Sequence, residues 1–178
     1  MADRDPTVRD FGRAVAYAPS GHWDPGGEID RVTLAFDDRH RRRIRLETDS
    51  GSTLLLDLPR AVALSDGDGL SLKEGGWIRV MAAPEAVMEV RATDRHHLLR
   101  VAWHIGNRHL PAQILEDAIL LRPDHVIADM LRGLGATVTE TEQPFQPEGG
   151  AYDHAHGHDH NHDDHCHDAG HSHHHHHD

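Results

Sequence analysis

Apolar positions along the chain follow two different periods, which divide it into two parts. Between residues 32 and 81, apolar and polar residues alternate over short runs, as at Val32, Leu34 and Phe36. Such alternation is typical of strands with one buried face. Turn signals rich in Gly and Asp separate these runs at the spacing of about 8–12 residues seen in small sandwiches or barrels. We therefore predict a small all-β domain, with a further short strand at residues 11–17 and a strand break at Pro59.

After the junction at residues 82–84, the period becomes helical. Asp94 is a candidate cap for a helix whose apolar face follows the i, i+3, i+4, i+7 pattern. Asp124 is a candidate cap for a second helix with its own apolar stripe. Strands are predicted before, between and after them, at residues 87–92, 111–115, 118–121 and 136–141. The predicted stripes are Leu98, Val101, Ala102 and Ile105 in the first helix, and Val126, Ile127, Met130, Leu131 and Leu134 in the second.

The predicted order β-α-β-β-α-β is that of a ferredoxin-like domain, in which two helices cover one face of a four-stranded antiparallel sheet. The fold class is therefore α+β, with three regions. Residues 1–82 are the N-terminal β domain, residues 83–147 the ferredoxin-like domain, and residues 148–178 a histidine-rich tail. The tail has too few apolar side chains to offset the entropy of ordering and is expected to be disordered.

The tail supplies many donors for divalent transition metals. A purification tag would explain the last five histidines, but not the alternating ones before them, whose side chains share one side of an extended chain. We interpret the tail as a native segment that binds divalent transition metals. Its candidate ligands are His154, His156, His158, His160, His162, His165, Cys166, His167, His171, His173, His174, His175, His176 and His177.

Charge and cysteine usage restrict the function further. The formal net charge is −12, and the six Asp of the tail supply half of it. An acidic chain without a basic footprint is not expected to bind nucleic acid. The single cysteine gives no internal disulfide. The N-terminus lacks an apolar signal region, and no apolar run reaches the ~20 residues that span a bilayer. We therefore expect a cytoplasmic protein without membrane contact.

Few residues of the ordered body are candidates for a defined site. His104 and His109 flank the end of the first predicted helix, where Gly106 is expected to be the left-handed terminal residue. His125 lies in the first turn of the second helix. Each alone is most simply a solvated or hydrogen-bonded histidine. One histidine makes no metal site, but two copies across a two-fold axis begin one that a flexible tail completes.

Other chemistries have little support in the sequence. The chain has neither a P-loop nor an HExxH motif, and no nucleophile lies beside a base in a known pattern, so we do not expect an enzyme. The basic run at residues 39–43 is interpreted as a solvated strand face. If this run is functional, an acidic protein partner is favoured over nucleic acid.

Several segments resemble the UreE family of urease accessory nickel metallochaperones. The resemblance covers residues 30–178, and the GNRH and PFxPEGGAY motifs together make it specific. The segments are LLLDLPRAV from Leu54, IRVMAAPE from Ile78, HIGNRHLPAQI from His104, DHVIADMLRGLGA from Asp124 and PFQPEGGAY from Pro144.

The resemblance implies a partner-binding N-terminal domain and a C-terminal domain that dimerises and binds metal. It makes His109 the interface ligand, one from each protomer of a homodimer. His125 matches the second position of an HxH pair, whose first position here is Pro123. The implied function is delivery of Ni²⁺ to apo-urease together with other accessory proteins, including a GTPase. The implied cargo is Ni²⁺, and the same donors also bind Cu²⁺ or Zn²⁺. The alternatives are a general buffer or storage protein for these divalent metals without a dedicated client, and a peptide-binding chaperone.

Overall fold

The structure is a computed structural model that describes residues 8–149, and all structural statements below concern these residues. They form a β domain followed by an α/β domain. The strands of the first are β1 (Asp10–Ala18), β2 (Glu28–Leu34), β3 (His40–Glu47), β4 (Thr53–Ala63), β5 (Gly69–Leu72) and β6 (Trp77–Ala82). The elements of the second are β7 (Pro84–Arg91), α1 (Arg95–Gly106), β8 (Ala112–Ile114), β9 (Ala118–Leu121), α2 (His125–Gly133) and β10 (Thr137–Pro144).

The N-terminal strands form one mixed sheet in the order β2-β6-β5-β1-β4-β3. The two ends of this sheet approach each other, because Asp49, in the turn after β3, donates its backbone N–H to Arg31 O of β2 at 2.8 Å. The Asp49 carboxylate also accepts hydrogen bonds from the N–H and hydroxyl of Thr33. The predicted small β domain is therefore a single sheet curled around its core. That core contains Ala14, Val32, Leu46, Leu54, Leu56, Leu58, Leu64, Leu70, Leu72, Ile78 and Val80.

The sequence reasoning misplaced one strand end in this domain and missed one strand. Pro59 does not end its strand, since β4 continues to Ala63. The pairing with β3 shifts there: Arg43 lies opposite Asp57, whereas Arg41 lies opposite Val62. A residue without an N–H is tolerated at such an irregularity. The short strand β5 was not anticipated, because its four residues lie between two glycine-rich turns.

The C-terminal domain confirms the ferredoxin-like prediction. Its four strands are antiparallel in the order β10-β7-β9-β8. Both predicted caps are present: Asp94 accepts from His97 N at 2.8 Å, and Asp124 accepts from Val126 N and Ile127 N. One position of the second apolar stripe is wrong, because Val126 is 62% exposed. The buried face of α2 instead passes through Ile127, Ala128 and Leu131, so Val126 points away from the sheet.

The two domains meet through residues from far apart in the sequence. Phe36 lies in a 3₁₀ turn after β2 rather than in the predicted strand. It packs beside a buried cluster of Val87, Leu120 and Phe145. Central strands of the C-terminal sheet are thus covered on both faces, by the helices on one and by this cluster on the other.

The basic run at residues 39–43 is only partly a solvated face. Arg39 is 2% exposed, and it donates to the Phe145 carbonyl and the Gln146 side-chain oxygen. Burial lowers its pKa, opposed by the nearby carboxylates of Glu85, Asp66 and Asp68. Because Arg39 precedes β3 in sequence, its role in joining the domains cannot be read from the alternation of that strand.

Candidate metal site

The loop that follows α1 presents His109 to solvent. Backbone hydrogen bonds from Asn107, Arg108 and His109 to Trp103, Ile105 and Gly106 hold this turn. His109 has φ 54° and is the non-glycine residue with positive φ in the described chain. We had predicted Gly106 as the left-handed residue at the end of the helix, and this prediction is wrong: the left-handed residue is His109. Such a conformation is uncommon for a residue with a Cβ, and histidine is among the types enriched in it.

The His109 side chain is available to a ligand. It is exposed, and its ring makes no hydrogen bond with residues 8–149. A neutral imidazole with a free ring nitrogen is a common ligand for divalent transition metals. Backbone strain at a non-glycine residue is a reason to test for function there.

A small groove lies beside His109, between the end of α1 and the edge strand β8. It has a volume of about 160 Å³ and mostly apolar walls. Gly106 and Leu110, which flank the His109 turn in sequence, line it together with Glu148. The remaining lining residues are Ala102, Ile105, Ala112, Ile114 and Ile119.

Glu148 brings the end of the described chain to this groove. Its backbone N–H donates to Ala112 O at 2.8 Å, and its carboxylate accepts from Ile114 N at 3.2 Å. These bonds hold residue 148 along the free edge of β8. This strand begins at Ala112, three residues after His109.

His125 occupies the first position of α2 and is exposed. No contact joins its side chain to His109 within residues 8–149. The tail ligands, from His154 to His177 with Cys166, lie outside the described residues. Within the described residues, no group of three or more His, Cys, Asp or Glu side chains could hold a metal ion.

The structure assigns a role to one histidine for which the sequence offered no signal. His97 Nε2 donates to Leu134 O at 2.9 Å, while Nδ1 lies 3.1 Å from the Thr93 hydroxyl. Thr93 N also donates to Nδ1, which places the ring proton on Nε2. His97 therefore joins the start of α1 to the end of α2, and both its nitrogens are used. His104 is half-buried and packs edge to face on Trp103, with ring centroids 4.9 Å apart.

The helix that leads to His109 carries an exposed apolar pair. Leu99 is 68% and Trp103 65% exposed, and residues four apart lie on the same face of a helix. Ile114 on the edge strand β8 is also exposed.

Within residues 8–149, no helix is long and apolar enough to cross a membrane.

Comparison with known proteins connects this fold to one class of protein. The family model "UreE urease accessory protein, N-terminal domain" matches residues 14–83, and "UreE urease accessory protein, C-terminal domain" matches residues 85–177. The two matches follow the order of the two sheets. The fold and the matches thus define a two-domain urease accessory protein.

Individual relatives agree with this class. The chain is 58% identical over 124 residues to a urease accessory protein UreE of Chelativorans sp. (strain BNC1), covering 70% of this chain and 78% of that protein. It is 50% identical over 141 residues to one of Agrobacterium fabrum (strain C58 / ATCC 33970), covering 79% and 86%. The chain belongs to the UreE family, a family of accessory proteins rather than enzymes, with a role in urease maturation.

One relative is considerably longer than the matched region. The urease accessory protein UreE of Rhodopseudomonas palustris (strain HaA2) is 55% identical over 132 residues. That match covers 74% of this chain but 60% of the relative.

Proposed function

We propose that this protein is a nickel metallochaperone that delivers Ni²⁺ to apo-urease during assembly of the urease metallocentre. It works with the other urease accessory proteins, including a GTPase, in the cytoplasm. The observation that carries the proposal is His109: an exposed imidazole with free ring nitrogens, held in a left-handed turn beside the point where the histidine-rich tail begins.

The specific nickel site contains His109 from each protomer of a homodimer. Residues 8–149 hold no complete donor set, so further ligands have to come from a second copy or from the tail. The tail is one such source, since it begins after Glu148, which lines the groove beside the same turn. The exposed pair Leu99 and Trp103 on the preceding helix is the apolar surface on which we place the second copy.

The remaining histidines have a loading role. The tail captures ions through many exchangeable imidazoles and Cys166, and it passes them to the His109 pair. His125 is a secondary ligand; because Pro123 replaces a donor there, the tail carries more of the binding capacity. Few fixed and many exchangeable ligands suit a protein that has to release its cargo. The β domain, residues 1–82, contacts partner proteins, whereas residues 83–147 dimerise and bind metal.

A general divalent-metal buffer is the second candidate, favoured by the composition of the tail. The affinity of imidazole and thiol donors for divalent metals follows the Irving–Williams order, in which Cu²⁺ lies above Ni²⁺. The tail is therefore expected to bind Cu²⁺ more tightly than Ni²⁺. Selectivity for nickel therefore depends on the defined site and on the client. Capture of urease accessory proteins by the nickel-loaded chain favours delivery, whereas nickel binding without such partners favours the buffer.

Urease activation in cells tests the delivery proposal directly. Cells that carry a chain truncated after Gly150 should retain partial urease activation, with the deficit largest at low nickel. Cells that carry the full chain with His109→Ala should activate less urease at the same nickel supply. Normal activation at limiting nickel in the His109→Ala strain would contradict the proposal.

A further inference from the structure

The two edges of the four-stranded sheet differ in how far they are covered. At one edge, β8 is three residues long, and Glu148 covers it by donating to Ala112 O and accepting from Ile114 N. At the other edge, β10 spans the eight residues Thr137–Pro144. Within residues 8–149, β10 pairs with β7 alone. Alternate residues of such a strand direct their N–H and C=O groups away from the neighbouring strand, so β10 presents a row of open backbone groups.

Proteins usually protect an open edge with a bulge, an internal proline, a lysine or a covering segment. The pairing of β10 with β7 runs through all eight residues without a register shift. The sequence of β10, TVTETEQP, has its proline at the last position and contains no Lys or Arg. Its threonines and valine are residue types that favour strands. The charges at this edge therefore come from the two glutamates of β10, Glu140 and Glu142.

The charges of Glu140 and Glu142 are not compensated by their neighbours. Both side chains are exposed, and they lie on the same side of the strand, because alternate residues of a strand do so. Their partners on β7 are Met88 and Ala86, which carry no charge. The ion pairs and hydrogen bonds among residues 8–149 include neither carboxylate. Both glutamates are thus available to cations on a strand that pairs with the free edge.

The charge of this edge decides which strand fits it. Opposite charges on facing residues stabilise a strand pair, whereas like charges directly opposite each other destabilise it. A second copy that pairs in register through β10 brings the glutamates of both copies together, and the chain has a formal net charge of −12. An extended segment with Lys or Arg at alternate positions instead places its cations beside Glu140 and Glu142.

We propose that the free edge of β10 is a docking site for an extended, basic segment of a partner protein, which adds a strand to the four-stranded sheet. In this mode of recognition, main-chain hydrogen bonds supply affinity and alternate side chains supply specificity. The docking site lies on the ferredoxin-like domain and is therefore separate from the partner contacts that we assign to residues 1–82. Docking at β10 does not depend on metal binding.

Amide hydrogen exchange, followed by NMR on the full-length metal-free protein, tests this proposal. The probe is a peptide of the length of β10 in which Thr and Lys alternate, and the comparison peptide alternates Thr and Glu. The Thr–Lys peptide should slow exchange at alternate backbone amides of residues 137–143, because these amides gain carbonyl partners. Absence of slowing in β10 would overturn the docking site, and equal slowing by both peptides would overturn the preference for a basic partner.

The same measurement detects two other occupants and modes of binding. Slow exchange in β10 that develops without peptide, and increases with protein concentration, would place a second copy of the chain on this edge. Effects of the Thr–Lys peptide that are confined to residues 151–178 would show attraction by the six Asp of the tail. Either result contradicts the proposal.

Matched variants separate the two glutamates of β10 from the net charge of the protein. The double substitution Glu140→Gln with Glu142→Gln removes both carboxylates and keeps the size of the side chains. The Thr–Lys peptide should bind this variant at least about threefold more weakly, as expected for the loss of two cross-strand ion pairs. Glu47→Gln with Glu116→Gln is the control, since both of these glutamates are exposed and lie outside β10. An equal loss of affinity in the two double variants would contradict binding at the β10 edge.

Discussion

Phe36 of the β domain and Phe145 of the ferredoxin-like domain pack edge to face, with ring centroids 5.5 Å apart and ring planes at 71°. Phe145 is fully buried and follows the last residue of β10. Beside this pair, Arg39 binds the Phe145 carbonyl and the Gln146 side chain. The segment from Phe145 to Glu148 thus joins the domains and brings the chain to the His109 turn.

Gln146→Leu tests this junction. The substitution removes an acceptor from the buried Arg39 guanidinium, so we expect a loss of about 1–3 kcal/mol in the free energy of unfolding. Urea unfolding followed by tryptophan fluorescence measures it. Gln143→Leu is the control, because the Gln143 side chain makes one hydrogen bond, of 3.5 Å, to the Glu89 carboxylate. Equal losses in the two variants would show that the Arg39 contact adds nothing.

Removal of the His109 imidazole should weaken nickel binding at the tightest site by more than about tenfold, because changes to residues that only support a metal ligand already have an effect of that size. Most of the low-affinity nickel-binding capacity should remain. Titration calorimetry on His109→Ala and His109→Gly distinguishes ligand loss from a conformational effect. Glycine adopts positive φ without strain, whereas alanine does not. Tight binding retained in His109→Gly alone would mean that the loop conformation matters and the imidazole does not.

His97→Ala should destabilise the C-terminal domain. It removes the hydrogen bond to Leu134 O and leaves that carbonyl and Thr93 with fewer partners, at a cost of about 1–3 kcal/mol. Thermal unfolding of the metal-free protein measures the change. The neighbouring His96→Ala is the matched control, because the His96 side chain is exposed. A similar melting temperature for both variants would argue against the helix-joining role.

Asp94 should make the stability of the fold depend on pH. The backbone N–H of His97 lowers the pKa of its carboxyl group below the ordinary value. A group with a lowered folded pKa stabilises the protein above its unfolded pKa, and this stabilisation is lost as pH falls through the folded value. Asp94→Asn keeps an acceptor but cannot ionise. Its urea midpoint should therefore fall less than that of the unchanged protein between pH 7 and about pH 3.

The exposed aspartate Asp129, whose side chain pairs with Arg132, supplies the comparison. If Asp129→Asn flattens the acid dependence as much as Asp94→Asn does, the effect comes from net charge. The helix cap then has no specific part in it.

The proposed dimer surface predicts a change in mass. Leu99→Glu and Trp103→Glu place a charge on the exposed face of α1, so they should shift the protein from dimer to monomer in analytical ultracentrifugation. Ile29→Glu is a control with a similarly exposed apolar residue, at 51%, in the β domain. A dimer that persists in both α1 variants places the interface elsewhere.

Local patterns along the chain were sufficient for much of the fold. The strand and helix order of the ferredoxin-like domain, both aspartate caps and the buried stripe of α1 follow from residues within one or two turns of each other. The exposed position of His109 was also predictable, because it follows a helix end. The same reasoning misplaced Val126 and Pro59, where the direction of a helix face and the register between two strands decided the outcome.

Sequence by itself determined the elements, the donor-rich tail and the residues that identify the family, because these depend on spacing and side-chain type. Only the tertiary structure decided that Arg39 is buried, that His97 joins two helices, that His109 takes the left-handed conformation and that Glu148 starts the tail beside it. The burial of Arg39, the His97 contact and the position of Glu148 depend on contacts between residues tens of positions apart. The energy of such contacts depends on which surfaces meet, and the local pattern of a strand or helix does not contain that information.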